Sequence, residues 1–186
     1  MYTKDRRVRK TKEAIKRSLI KLVNETSFEG LTIGGLMADA DLNRSTFYLH
    51  YSSLSEVLYA IEDEVIANLL EEVRGPHETI ESLLLDVLSC AEANREALRC
   101  IFKASPTHFS RKVELIFTPV IYASPFTKRK NEDHGFTFVA SFFIEGGIGV
   151  IFKWLENPMR VGKDELVASF LDYFVPKNQN SVKLRK

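Results

Sequence analysis

Leu42-Asn43-Arg44-Ser45-Thr46-Phe47-Tyr48-Leu49-His50-Tyr51 is the stretch on which the fold of this chain turns. Wound at 3.6 residues per turn, it is a short helix with two unlike sides. Phe47 and Tyr51 share one side by i, i+4 spacing, and with Leu42 they suit burial. Arg44, Ser45, Tyr48 and Leu49 fall on the other side, where an Arg, an aromatic and a bare Leu meet solvent. That mixture fits a DNA groove. Arg can read guanine through two N–H donors, Leu can touch a thymine methyl, and a Tyr hydroxyl can donate to phosphate. Packing of Tyr48 and Leu49 against the rest of the protein is the alternative that spacing alone leaves open.

Upstream, Thr32 offers an N-cap for a helix whose inward residues are Ile33, Leu36, Met37 and Ala40. Gly34 and Gly35 lie inside it, at a cost of roughly 1 kcal/mol each relative to Ala, a cost tolerated where backbone must approach something closely. Asp41-Leu42 makes a tight connection, and Asn43 caps the next helix. Earlier still, Ile15, Leu19, Leu22 and Val23 stripe a helix over about residues 6–26, which Phe28-Glu29-Gly30 ends. Helices over about 6–26, 32–39 and 43–50, the last two joined by a turn of three or four residues, suit a helix-turn-helix.

Charge is distributed to match. The first 21 residues carry nine basic side chains against two acidic ones, a net of +7, whereas residues 61–175 carry 12 basic and 18 acidic, a net of −6. A basic arm on an acidic body points to a polyanion at one end, although a charge run by itself equally describes a solvated helix face.

The whole chain has 186 residues, 45% of them apolar and 27% charged, which is enough to bury a sizeable core and too apolar for disorder. No run of about 18 uncharged apolar residues and no apolar segment behind the basic N-terminus are present, so neither a membrane span nor a secretory signal is expected. Cys90 and Cys100 are too few for a disulfide framework and fit a reduced, cytoplasmic setting. His77, His108 and His134 lack metal-ligand spacing, and these residues and the cysteines read as structural. Without a Gly-rich phosphate loop, nucleophile elbow or paired catalytic carboxylates, neither enzymatic activity nor a cofactor or metal is expected.

Beyond residue 52 the periodicity stays helical. A connecting helix over 53–72 carries Val57, Leu58, Ile61, Val65, Ile66, Leu69 and Leu70, and Gly75-Pro76 punctuates its end. Helices follow near 77–92, 95–104, 107–122, 133–156 and 164–175, with a loop over 124–131 and Pro119 expected to end or kink its helix. The fold class is all-α. Residues 1–52 are expected to form the DNA-facing part, 53–176 a C-terminal helical part, and 177–186 a basic flexible tail.

Residues 32–61 resemble the DNA-binding domain of the tetracycline-repressor (TetR) family of bacterial regulators, on Leu31-Thr32-Ile33, Met37-Ala38 and the run from Ala40 to Tyr51. Within that run Ser45-Thr46-Phe47-Tyr48, with His50 and Tyr51, is the most specific part. The resemblance implies phosphate contacts from Thr32, Thr46, Tyr48 and His50, base-facing positions at Arg44, Ser45 and Leu49, and a buried Phe47. Asp41 stands where the family usually has Gly, which Asp can replace in a left-handed turn. Leu54 stands where a phosphate-binding Lys is common, and Gly34 brings no side chain to a base.

Farther on, the segment from Phe142 to Leu155, with the Glu156-Asn157-Pro158-Met159 turn and the 164–175 helix, resembles the C-terminal domain of a Firmicutes-type TetR subgroup. That resemblance implies that the last two long helices pair with their copies as a four-helix bundle. Gly146, Gly149, Val150, Trp154, Phe170 and Phe174 are the interface candidates, and thinning of a helix within the subunit core is the alternative for the glycines. A homodimer also suits a palindromic double-stranded operator, because two recognition helices must lie one turn of DNA apart. Phe102, Phe117, Tyr122, Phe138 and Phe142 are candidates to line a pocket for an apolar or aromatic effector, with core packing as their plainer role. The expected function is a ligand-responsive homodimeric repressor. The alternative is a TetR-like module controlled by, or scaffolding, a protein partner.

Overall fold

The computed structural model describes residues 2–123, 134–156 and 161–174, and among them every regular element is an α-helix, as the periodicity requires. In chain order these are α1 (Tyr2–Glu25), α2 (Ile33–Asp39), α3 (Arg44–Tyr48), α4 (Leu54–Arg74), α5 (Ile80–Ala93), α6 (Arg95–Ala104), α7 (Pro106–Ala123), α8 (His134–Leu155) and α9 (Lys163–Phe174). The loop expected over 124–131, the turn after Glu156 and the tail over 177–186 lie outside the described residues. The chain forms two compact units, one of residues 1–65 and 96–106, the other of residues 66–95 and 107–186. The functional boundary drawn after residue 52 falls inside the first.

In the first unit the predicted apolar stripe of α1 is buried at Ile15, Leu19 and Val23. α2 packs on α1 and on α3, and Leu36 and Met37 of α2, Phe47 of α3, Tyr51, and Val57, Leu58 and Ile61 of α4 are buried in the same unit. The same unit takes in α6, whose Leu98, Cys100 and Ile101 are buried. Polar bonds lock α6 to the end of α1. The Asn24 amide donates to the Glu96 carbonyl and to its carboxylate, each at 3.0 Å, and Lys103 Nζ donates to the Asn24 carbonyl at 2.6 Å. Glu62 is fully buried and accepts a hydrogen bond from Ser105 Oγ at 2.9 Å, as a polar group removed from water must. Burial raises the Cys100 thiol to about 12 and so keeps it protonated.

In the second unit α5 packs on α8 and α9. Its core is drawn from Leu88, Ala91, Phe109, Val113, Phe117, Ala140, Ile144, Leu155 and Val167. Thr79 opens α5 with a capping box, its hydroxyl accepting from Ser82 N–H at 3.1 Å. The His77 ring sits over the end of α4, with Nε2 2.6 Å from the Glu72 carbonyl and Nδ1 3.5 Å from Asp86. Trp154 is buried. Its indole N–H donates to the Val161 carbonyl at 2.8 Å, while Arg95 lies over its ring at 6.0 Å and donates to the Leu155 carbonyl. Pro119 does not end α7, which runs on to Ala123. It lies on an exposed side, where water can take the carbonyl that a proline leaves without an N–H partner.

The outer surface of α8 departs most from a soluble helix. Phe138, Val139, Phe142, Phe143, Val150 and Phe152 are all exposed. The stretch Thr137–Leu155 is long and apolar enough to cross a membrane by length and composition, a test that the count of uncharged residues missed because Glu145 and Lys153 interrupt the run. Among the described residues a Cβ built at Gly146, Gly147 or Gly149 would meet nothing within 4 Å, so no close approach among them requires these glycines.

Candidate nucleic-acid interface

The elements that place the exposed side chains are set by backbone chemistry at their ends. Thr32 caps α2 as predicted: its Oγ1 accepts from Gly35 N–H at 3.1 Å, which leaves the hydroxyl proton to donate elsewhere. At the other end Leu42 N–H reaches the Met37 carbonyl at 2.9 Å and Asp41 N–H the Ala38 carbonyl at 3.2 Å. This is a Schellman closure, with Asp41 in the left-handed conformation at φ 53° where glycine is usual. The chain therefore reverses within two residues and delivers Asn43 to the start of α3. Asn43 occupies the N-cap position with extended backbone, but its side chain makes no capping bond.

α3 is shorter than the expected 43–50. It ends at Tyr48 because Leu49, His50 and Tyr51 tighten onto the Thr46 and Phe47 carbonyls. The next helix then begins at once. Glu56 accepts from Ser52 N–H at 2.6 Å and from Ser52 Oγ at 2.7 Å, while Glu56 N–H donates to Ser53 Oγ at 3.2 Å. The Ser52 bonds hold the Glu56 carboxyl below its usual range.

The two sides of α3 separate as its sequence requires. Phe47 is fully buried, packed edge-on to Tyr48 (centroids 5.6 Å, 87°) and tilted against Tyr51 (6.0 Å). Outward, Tyr48 is 54% and Leu49 78% exposed, beside exposed Arg44 and Ser45 and half-buried Thr46 and His50. Arg44 is engaged: its Nη2 donates to Tyr48 Oη at 3.3 Å and its guanidinium lies 6.0 Å from the ring centroid. Gly34 and Gly35 are exposed on α2, and a Cβ at either would make only ordinary contacts of 3.9 and 3.4 Å with Thr32 Oγ1. Among the described residues nothing demands glycine there.

The charge of α1 is less available than its sequence implies. Lys16 pairs with Glu64, and Lys21 donates to Asp39 at 2.6 Å, tying α1 to α4 and α2. The Lys21 and Ser18 bonds hold the Asp39 carboxyl below its usual range, and the same Asp39 contact raises the Lys21 ammonium. Lys12 stands over the Tyr51 ring at 5.6 Å. Arg6, Arg7, Arg9, Lys10 and Arg17 remain exposed. These pairings join residues up to 48 apart in sequence, which helical periodicity cannot reveal.

The other candidates are dispersed. Phe102 belongs to the first unit and Phe117 is buried in the second, whereas Phe138 and Phe142, one turn apart on α8, are 79% and 66% exposed. Tyr122 lies in the last turn of α7 and Phe174 ends α9, with both side chains outside the described set. Gly146, Gly149 and Val150 are exposed on α8, Phe170 is half-buried, and Trp154 is committed inside its own subunit. Among the described residues no group of three or more His, Cys, Asp or Glu is placed to hold a metal ion.

A buried Phe behind an exposed Arg-Ser-Tyr-Leu surface, on a short helix reached by a tight turn, defines a helix-turn-helix protein. Residues 78–174 match the TetR C-terminal family described as a transcriptional regulator C-terminal region. The chain belongs to the TetR family of transcriptional regulators. Its fold is similar to that of a TetR transcriptional regulator from Streptococcus agalactiae 2603V, with TM-score 0.71 and 22% identity over 92% of this chain and 97% of that one. It is also similar to the dihydroxyacetone kinase operon activator DhaS, with TM-score 0.61 and 14% identity over 93% and 97% of the two chains. In sequence it is 29% identical over 70 residues to an uncharacterized HTH-type transcriptional regulator, YxbF of Bacillus subtilis (strain 168). That match covers 37% of this chain and 18% of YxbF, so the chain spans under a fifth of that protein's length.

Proposed function

We propose that the chain is a cytoplasmic, homodimeric repressor that binds a palindromic operator through α3 and releases it when an apolar or aromatic effector binds the C-terminal part. Residues 1–52 face DNA, and the residues beyond serve regulation and dimerisation. The observation that carries the DNA reading is the outward set on α3, with Leu49 78% exposed beside Arg44 and Tyr48 while Phe47 behind them is fully buried. A large apolar side chain held in water next to an Arg fits a thymine methyl beside a guanine. Thr32, Thr46 and His50 supply hydroxyl and imidazole groups for phosphate, and the exposed basic residues of α1 add sequence-independent attraction.

Dimerisation is supported by the apolar outer surface of α8 and by glycines with open space around them. Release by an effector requires that it bind the DNA-incompetent state more tightly, since equal affinity for both states shifts nothing. The exposure of Phe138 and Phe142 favours a second reading, in which a protein partner docks on α8 and takes the effector's place.

The test is fluorescence anisotropy on duplexes enriched from a randomised palindromic library by the purified full chain, with random DNA as competitor. Preference of about 10³-fold or more, with a steep loss of affinity as salt rises, is the expected result. Weak binding that ignores sequence would refute it.

A further inference from the structure

We infer that Tyr48 is a positioning residue for base reading by Arg44, so that sequence discrimination at the Arg44 base pair depends on the Tyr48 hydroxyl. This rests on the reading of α3 as the DNA-reading helix and deepens it. Arginine is a long side chain that, exposed on a five-residue helix, would ordinarily sample many rotamers. Here it does not stand alone. The Tyr48 ring lies under its guanidinium at 6.0 Å, and the Tyr48 oxygen accepts one of its N–H bonds at 3.3 Å.

The ring is itself fixed from below. Tyr48 meets the fully buried Phe47 edge-on at 5.6 Å, Phe47 leans on buried Tyr51 at 6.0 Å, and Lys12 of α1 caps Tyr51 at 5.6 Å. A continuous ladder, Lys12–Tyr51–Phe47–Tyr48–Arg44, thus runs from the first helix through the core to the reading residue.

The hydrogen-bond inventory of this pair has a consequence. Because Tyr48 Oη accepts from Arg44, its own O–H is left to donate, and a phosphate oxygen is the acceptor that DNA brings. An N–H···O–H···phosphate chain polarises along its length, so each bond strengthens the other. Arg44 spends one of five N–H donors on Tyr48 and keeps enough of its fork for guanine O6 and N7. Tyr48 therefore joins the backbone contact to the base contact: a correct phosphate register steadies the arginine that reads the base.

The experiment uses the full chain, the enriched palindromic duplex and its single-base-pair variants, with four proteins: wild type, Arg44→Ala, Tyr48→Phe and the double variant. Tyr48→Phe keeps the ring and its Phe47 contact, and circular dichroism checks that each variant folds. Arg44→Ala locates the base pair at which discrimination collapses. Tyr48→Phe is expected to weaken discrimination at that same base pair by about 3- to 10-fold, the scale of one hydrogen bond, and to cost an equal factor on every duplex once Arg44 is gone. An equal loss on all duplexes in both backgrounds would make Tyr48 a backbone contact only and overturn the inference. Intact discrimination in Arg44→Ala, or failure to enrich any duplex, would instead remove the underlying reading, and the inference with it.

Discussion

Replacing Asp41 tests the turn that aims α3. The residue sits at φ 53°, in a Schellman closure whose two hydrogen bonds, 2.9 and 3.2 Å, are made by backbone alone. A side chain at that φ brings Cβ against the following carbonyl, at a cost of about 1–2 kcal/mol for an ordinary residue and less for Asp, whose short polar chain can bond locally. Glycine removes the strain but loses about 0.4–1 kcal/mol by freeing the unfolded chain. Alanine keeps the strain without the polar compensation. The expected order of stability is therefore Asp41→Gly, then wild type, then Asp41→Ala, with roughly 1 kcal/mol between the extremes. In urea, at a slope of about 2 kcal/mol/M, that separates the two variant midpoints by about 0.5 M, read from the helical signal in circular dichroism. An Asp41→Ala variant as stable as Asp41→Gly would refute the argument, because φ at this position would then not be limiting.

Four further outcomes are expected. Gly149→Leu should leave the isolated subunit folded, since among the described residues its Cβ meets nothing within 4 Å, yet shift the proposed dimer toward monomer in sedimentation; an unchanged dimer would remove Gly149 from the interface. Asp39→Asn should flatten the acid side of the stability profile. The depressed Asp39 carboxyl contributes above its unfolded pKa and loses that contribution as pH falls below about 4, while the raised Lys21 contributes up to its own unfolded range and loses its share above it. The effect is small for so exposed a pair, and identical urea midpoints for variant and wild type at pH 7 and pH 3 would contradict it. Cys100, fully buried and with its thiol raised to about 12, should resist alkylation at pH 8 until the protein unfolds; rapid labelling of Cys100 under native conditions would count against its burial. Trp154→Phe should cost about 0.5–1.5 kcal/mol by removing the bond to the Val161 carbonyl, seen as a lower thermal midpoint.

Much of the fold was legible because long helices bury periodic stripes. Ile15, Leu19 and Val23, the Thr32 cap and the inward Phe47 follow from spacing and local backbone chemistry, whereas the left-handed Asp41 is implied by the family resemblance. Three features escaped for physical reasons. The docking of α6 in the first unit depends on Asn24, Glu96 and Lys103, contacts made over 72 and 79 residues that no local pattern encodes. Pro119 is expected to end or kink its helix, yet α7 runs on past it, because water can satisfy the carbonyl left without an N–H partner on an exposed side. On α8, apolar residues surround the axis, so periodicity cannot say which face is inside, and Phe138 and Phe142, taken as pocket-lining, lie in solvent. At the candidate interface, residue types disclosed the outward set but not the Arg44–Tyr48 bond or the Lys16 and Lys21 pairings.

The glycines of α8 have a meaning for how this lineage can drift. Gly146, Gly147 and Gly149 each weaken the helix by about 1 kcal/mol relative to alanine, and among the described residues no neighbour within 4 Å would resist that first methyl group. Mutation supplies Gly→Ala readily, and selection for subunit stability alone would favour it at positions 146, 147 and 149. A second copy of the chain packed on this surface, as proposed above, would oppose the change, because the added methyl would hold the two helices apart. Descendants in which these positions fill with alanine or larger residues would mark the branch where that outside constraint was lifted.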